Sequence, residues 1–417
     1  MREHAAVLMW SFSTKGITFL LFYALQILLV RRLGVADYGL WSLFYSAFTV
    51  ALFVSDFGIN SSARRYIAEH EGTPCAGAVL SASLKLRALA SGICAVVFAL
   101  IAKPLAAGLG QPALAPFFAA AAPMLFLSGA VEYYKSIFVG MRRINYNFIV
   151  NSLEYGFKLL FGGLLLYHLS AKPGNLIIAF TAALLFAACG GYYLASKIKC
   201  PAAHGAPALY GEMLRYAGPI FTAVALSTAM SELDTLVLGA MRGSYEAGLY
   251  NAAKQIVIKG PHLSVAIAMG IMPGFARLND SNRPKMRRLF SQLMAVNTML
   301  VGAAALIIAV FAGKILLLLY GAKYVPAAPA LRLLAVFLLA VSYSVYLVNF
   351  LEYQGMAKKI ALNAAAAVAV NLCAIFLAVP KFGGVGAALA LSAGYAAFSL
   401  LCWLDVRKLL YPNCAIE

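Results

Sequence analysis

The stretch NFIVNSLEYGFKLLFGGLLLYHL, residues 147–169, is long and apolar enough to cross a lipid bilayer. A crossing takes about 20 residues, at about 1.5 Å of rise each. Asn147, Asn151, Glu154 and Lys158 fall at offsets of 0, 4, 7 and 11, so they share one face of a helix. A helix in lipid turns leucine, isoleucine, valine and phenylalanine outward, and a polar face of this kind turns toward protein or water. The spacing therefore predicts a spanning helix with a polar inner edge.

The rest of the chain repeats this pattern. Of 417 residues, 63% are hydrophobic and only 12% charged, against about 45–50% and about 25% in soluble domains. Mean hydropathy is +0.84. The few charges cluster between apolar runs at 8–30, 39–60, 80–103, 114–139, 147–169, 174–195, 213–240, 247–273, 290–312, 327–352, 360–380 and 383–406. The expectation is an all-α polytopic membrane protein of about twelve transmembrane helices, with no large soluble domain. The first run contains Lys15, is longer than a signal-peptide core and lacks a small-residue cleavage site, so it reads as a retained span.

The net charge is +18, from 33 Lys plus Arg against 15 Asp plus Glu. In a soluble protein this balance would suggest nucleic acid. Here the bases sit at the ends of apolar runs, where they set topology and meet anionic membrane lipids, and no nucleic-acid partner is expected. With a cytoplasmic amino terminus, the inner connections carry 19 bases, including Arg64, Arg65, Lys85, Arg87, Arg142 and Arg143, against 8 in the outer ones. The positive-inside bias then places both termini in the cytoplasm. Seven cysteines show no C-x-x-C spacing and the five histidines do not cluster with them, so neither a metal site nor a disulfide framework is expected. The sequence has no G-x-x-x-x-G-K-[ST], H-E-x-x-H or G-x-S-x-G motif, which points to a non-enzyme without cofactor.

The chain repeats at half its length. GMRRINYN at 140–147 returns as GMAKKIALN at 355–363, an offset of 215 from Gly140 to Gly355. Gly39 and Gly248 differ by 209, and Gly110 and Gly321 by 211. An even number of spans per half makes the repeat parallel, giving two six-helix bundles, 1–200 and 201–417, related by a pseudo-two-fold axis along the membrane normal. The seam is SKIKCPAAHGAPALYG at 196–211.

Other spans carry polar stripes too. Ser11, Lys15 and Thr18 align on the first, Ser128, Glu132 and Lys135 on the fourth, and Asn251, Gln255, Lys259 and His262 on the eighth, with Lys254 beside them. Six bases lie inside spans: Lys15, Lys135, Lys158, Lys254, Lys259 and Arg332. Each costs between about 2.5 and well over 10 kcal/mol at a bilayer centre, so a hydrated cavity is expected around them. Glu132 with Lys135 and Glu154 with Lys158 are spaced to pair within their own helices. For Lys15, Lys254 and Lys259 no local acid is so spaced. Asp234 continues a stripe through Ser227 and Ser231 and is the inward candidate, whereas Asp56 and Glu352 lie near span ends.

LGVADYGLWS at 33–42, DFGINSSARRYIAE at 56–69, LDTLVLG at 233–239, AGLYNAA at 247–253, YGAKYVPAAPALRLL at 320–334 and FGGVGAALA at 382–390 resemble the bacterial polysaccharide (O-antigen type) flippases. These belong to the multidrug/oligosaccharidyl-lipid/polysaccharide exporter superfamily. The resemblance implies two bundles flanking a central cavity and outward movement, by alternating access, of an undecaprenyl-pyrophosphate-linked oligosaccharide for lipopolysaccharide and surface-polysaccharide assembly in the inner membrane. It implies a polysaccharide polymerase as partner. Lys15, Lys135, Asn151, Glu154, Lys158, Asn251, Lys254, Gln255 and Lys259 are the expected substrate-cavity residues. Without an ATP-binding loop, uphill movement must draw on a proton or sodium gradient or on consumption of the product, and Glu154 and Asp234 are the expected coupling acids. A cation-coupled multidrug exporter of the same superfamily is the alternative, although its pocket should be acidic. A membrane polymerase or ligase is a third, but it would need a sizeable outer loop, and the outer connections are short.

Overall fold

A computed structural model describes residues 2–70, 75–168, 172–198, 207–262 and 282–410, together with 264, 265, 268 and 275. The chain divides into two compact units, Met1–Thr228 and Ala229–Glu417.

The first unit contains α1 (Arg2–Arg32), α2 (Val35–Asp56), α3 (Ile59–Glu69), α4 (Cys75–Leu100), α5 (Ala102–Gly108), α6 (Ala115–Ala120), α7 (Ala122–Gly140), α8 (Ile144–His168) and α9 (Pro173–Ser196). The unit boundary falls within α10 (Pro207–Arg242). The second unit continues with α11 (Ser244–Val257), α12 (Arg283–Tyr320), α13 (Ala328–Tyr353), α14 (Ala357–Phe382) and α15 (Gly384–Leu410). Among the described residues nine helices are long and apolar enough to cross a membrane, and ten if 112–140, bent by 52°, is counted as one span. Each of the twelve expected runs has a helix on it; the first is α1 and the eighth begins as α11. The eighth does not continue as one regular helix, because residues 258–260 form a turn ahead of Pro261. Proline lacks the amide a helix needs and disfavours helical backbone in the residue before it.

Backbone chemistry sets the joins. After α2 the chain turns through Phe57 (φ 44°) and Gly58 (φ 75°), and the Asp56 carboxylate accepts a hydrogen bond from the Asn60 amide at 3.2 Å. Any Cβ on Gly58 would meet the Ala217 carbonyl oxygen at 2.6 Å, so both the left-handed backbone and the close approach to α10 require glycine. Ser62 then ties α3 to α10 by donating to the Met213 carbonyl at 3.1 Å. Between α7 and α8 the amide of Arg143 reaches back to the Phe138 carbonyl at 2.8 Å over a left-handed Arg142 (φ 55°). Between α13 and α14 the amide of Met356 reaches the Leu351 carbonyl at 2.9 Å over Gly355 (φ 72°). These are the same helix-ending motif. They show that Gly355 holds the place of Arg142 rather than of Gly140, so the offset at this landmark is 213, not 215.

In the first unit α2 is the most buried span, and in the second α13, whereas α12 and α14 bury much less of themselves. In α15 the small residues Gly386, Ala387, Ala390 and Gly394 allow close packing. A Cβ on Gly386 would overlap the Ala378 carbonyl of α14, and one on Gly394 would overlap Asn371.

Candidate functional site

The tight turn after α7 lays α7 and α8 side by side, which brings residues 19 positions apart into contact. Lys135 on α7 donates to Glu154 Oε2 on α8 at 2.9 Å, and Lys158, one turn further along α8, donates to Glu154 Oε1 at 2.6 Å. Lys135 also holds Glu132 within its own helix. The side chains of Lys135, Glu154 and Lys158 are 12%, 7% and 6% exposed, so each oxygen of one buried carboxylate carries an ammonium group. The Lys158 ammonium further faces the rings of Tyr155 and Phe180, at 5.4 and 5.5 Å, as cation–π partners. Asn147 donates to the Lys135 carbonyl at 3.0 Å and Asn151 to the Asn147 carbonyl at 2.9 Å, so the asparagines of the stripe serve the backbone.

Glu132 opens onto a crevice of about 290 Å³ that Asp56 and Arg87 also line. Arg87 was expected in an inner connection. Instead it lies in the interior of α4, 2% exposed, with Nε donating to the Gly129 carbonyl at 3.2 Å and Nη1 at 3.5 Å from Asp56 Oδ1. Its Nη1 makes no hydrogen bond. Gly129 makes room: a Cβ there would press on Arg87 Nη2 at 3.2 Å. Three acids and three bases thus alternate across four helices: Asp56, Arg87, Glu132, Lys135, Glu154 and Lys158. Arg87 was missed because a base near an apolar run reads as an end marker. The signal that could have found it is its place seven residues inside the apolar run 80–103.

The second unit holds a separate cluster where α10 meets α11. Asp234 is fully buried; its Oδ1 accepts from Lys254 at 2.8 Å and from the Thr235 hydroxyl at 3.1 Å, and its Oδ2 accepts from the Tyr250 hydroxyl. Lys254 also donates to the Ser231 carbonyl. No acid within its own span is spaced to pair with Lys254; its partner lies 20 residues earlier on the adjacent helix, where periodicity within one span cannot reveal it. Asn251 donates to Thr235 Oγ1 at 3.4 Å and Gln255 to Asn251 Oδ1 at 3.1 Å. Lys259 and His262 fall beyond the end of α11, Lys259 in the turn at 258–260. Lys15 lies on α1, and its side chain is outside the described residues.

Neither cluster pairs a nucleophile with a base. Among the described residues no group of histidine, cysteine and carboxylate side chains could hold a metal. The chemistry these clusters support is the exchange of ionic partners.

Residues 6–279 match the family described as "Polysaccharide biosynthesis protein". The chain belongs to this family. Over 169 residues it is 28% identical to the lipopolysaccharide biosynthesis protein WzxC of Escherichia coli (strain K12), a match covering 40% of this chain. It spans only about a third, 33%, of the length of that curated relative. Among solved structures it is similar to an inward-facing multidrug resistance MATE family transporter of the MOP superfamily, with a TM-score of 0.82 at 15% identity over 97% of this chain and 99% of that one. It is also similar to the lipid II flippase MurJ in an inward closed conformation, with a TM-score of 0.75 at 14% identity over 96% of this chain and 87% of that one. At these identities the likeness is one of fold. This member of the polysaccharide biosynthesis family is an all-helical, multi-pass membrane protein with the fold of those transporters.

Proposed function

We propose that the chain is a secondary transporter that flips an undecaprenyl-pyrophosphate-linked oligosaccharide across the bacterial inner membrane for surface polysaccharide assembly, without changing the substrate chemically. The observation that carries this is the buried Lys135–Glu154–Lys158 cluster within spanning helices of a polysaccharide biosynthesis family member. A diphosphate and a carboxylate compete for the same ammonium groups. At an effective dielectric constant near 20, each lysine about 4 Å from a phosphate charge offers roughly 4 kcal/mol of attraction before desolvation is subtracted. Protonating Glu154 would free Lys158, and would leave Lys135 held by Glu132 alone, for the diphosphate to engage, which links substrate binding to proton uptake. Sodium at Glu154 would act in the same direction.

Glu154 is thus the proposed coupling acid. Asp234 is fully committed to Lys254, Thr235 and Tyr250, and we assign that cluster the role of holding α10 to α11. Lys15, Lys259, Asn151, Asn251 and Gln255 are proposed as further polar contacts along the path. Two six-helix bundles with their seam at 196–211, cytoplasmic termini and a polymerase partner complete the reading.

The test is translocation of lipid-linked oligosaccharide in vesicles with an imposed pH gradient. Glu154→Gln should abolish the response to the gradient, and Lys158→Glu should be worse than Lys158→Gln. Unchanged rate and gradient response in both Glu154→Gln and Asp234→Asn would reject coupling through either acid. Export of cationic drugs without oligosaccharide flipping would replace the substrate assignment.

A further inference from the structure

The crevice of about 290 Å³ beside Glu132 is walled by α2, α3, α4, α7 and α10, and every residue that lines it belongs to the first unit. Two buried polar atoms of its lining residues have no hydrogen-bond partner among the described residues: a donor, Arg87 Nη1, and an acceptor, Asn60 Oδ1. Arg87 is 2% exposed, and its Nη1 lies 3.5 Å from Asp56 Oδ1, beyond a direct hydrogen bond. The backbone of Asn60 is fully employed, its amide donating to Asp56 at 3.2 Å and its carbonyl accepting from Ser136 at 2.7 Å, so the side chain is held in place without being used. Leaving a buried donor and a buried acceptor unmet is costly, and a molecule that offers both functions removes the cost.

Charge and shape narrow what that molecule is. A cation would meet Arg87, and a lone anion would meet Asp56 and Glu132. A neutral hydroxyl fits both, since it accepts from a guanidinium and donates to a carboxylate or amide oxygen. The crevice also has an apolar part, where Phe53 of α2 and Phe221 of α10 stack with ring centroids 5.1 Å apart and planes 7° apart. Water uses the polar groups and gains nothing from aromatic rings; a sugar ring, polar at its rim and C–H on its faces, uses both. At roughly 30 Å³ for each water-sized group, about ten fit, the scale of one pyranose ring.

We infer that the crevice is a subsite for one neutral pyranose ring, with Arg87 and Asn60 reading its hydroxyls and Phe53 and Phe221 packing against its C–H surface. Such a subsite presupposes the oligosaccharide substrate proposed above. Glu132 is three residues from Lys135 on α7, ~4.5 Å of helix, so a ring in the crevice lies beside an ammonium group assigned to the diphosphate.

The test uses the full chain in phosphatidylcholine nanodiscs, free of glycosidic detergent, and a probe without phosphate, methyl glucopyranoside. Saturation-transfer NMR should show the glucoside bound. Val224→Trp, which places an indole in the crevice from a wall position that is 43% exposed, should abolish the transfer. Asn60→Ala removes one hydrogen bond to the sugar and should weaken binding about threefold to tenfold, with the thermal midpoint unchanged. Methyl glucuronide, whose carboxylate meets Asp56 and Glu132, should bind at least ~tenfold more weakly than the glucoside. No transfer in the parent chain, or transfer that both variants leave unchanged, would overturn the proposal and give the crevice to water. Glucuronide bound as tightly as glucoside would overturn it as well, by making the crevice an anion site. Should Val224→Trp fail to fold, Asn60→Ala decides. Because the probe carries no diphosphate, the outcome is separable from that of the vesicle assay: flipping without glucoside binding rejects the subsite and keeps the transporter, whereas glucoside binding that Val224→Trp removes, in a chain that flips nothing, supports the subsite and rejects the transporter.

Discussion

Replacing Lys254 with methionine keeps the length of the side chain and removes its charge. The carboxylate left behind, Asp234, is fully buried and retains only the donors of Thr235 and Tyr250. Removing one partner of a buried ion pair costs about 3–5 kcal/mol, because the remaining charge is uncompensated. At about 2–4 °C per kcal/mol for a unit of some 150–250 residues, the thermal midpoint should fall by ~10 °C. Adding Asp234→Asn removes the stranded charge while keeping an acceptor for Tyr250, and the double variant should recover at least ~2 kcal/mol of that loss. The assay is thermal unfolding of detergent-purified protein, followed by size-exclusion chromatography, in a complete double-mutant cycle. A Lys254→Met midpoint within about 1 °C of the parent, or a double variant as unstable as the sum of the singles, would refute the pairing of charges across α10 and α11.

Three further outcomes are expected. Reporter fusions after Lys199 and Lys358 should read as cytoplasmic and one after Lys172 as external; an external signal at 199 would remove both the span count and the half-repeat. Gly58→Ala should destabilise by more than the ~1–2 kcal/mol of a left-handed backbone, since its Cβ would also meet the Ala217 carbonyl at 2.6 Å, and limited proteolysis within α3 should accelerate. Asp56→Asn should lower stability less than Arg87→Met, because Arg87 is also bonded to the Gly129 carbonyl; the order of their thermal midpoints checks this.

Much of the architecture was legible because bilayer thickness imposes a length on every apolar run. The stripe from Asn147 to Lys158 was legible because its residues share one helix. What crosses between helices was not. Nothing in the spacing pairs Lys135 with Glu154 or Lys254 with Asp234, since that pairing depends on which faces the turns bring together. The break after Val257 was legible and was passed over: Gly260-Pro261 is a strong local stop, but hydropathy alone continues across it. Arg87 shows the opposite failure, where a charge counted as a boundary is buried against Asp56.

The alternation of Asp56, Arg87, Glu132, Lys135, Glu154 and Lys158 has an electrical consequence. With its charges all present the ladder is electroneutral, and with Asp234 and Lys254 also removed from the count the chain's net charge of +18 is unchanged. A neutral assembly can be carried through the transmembrane field without work. One added proton makes it a gating charge, for which full passage across 100 mV is worth about 2.3 kcal/mol. A motion that translates this ladder as one body should therefore be indifferent to voltage when Glu154 is ionised and voltage-dependent when it is protonated.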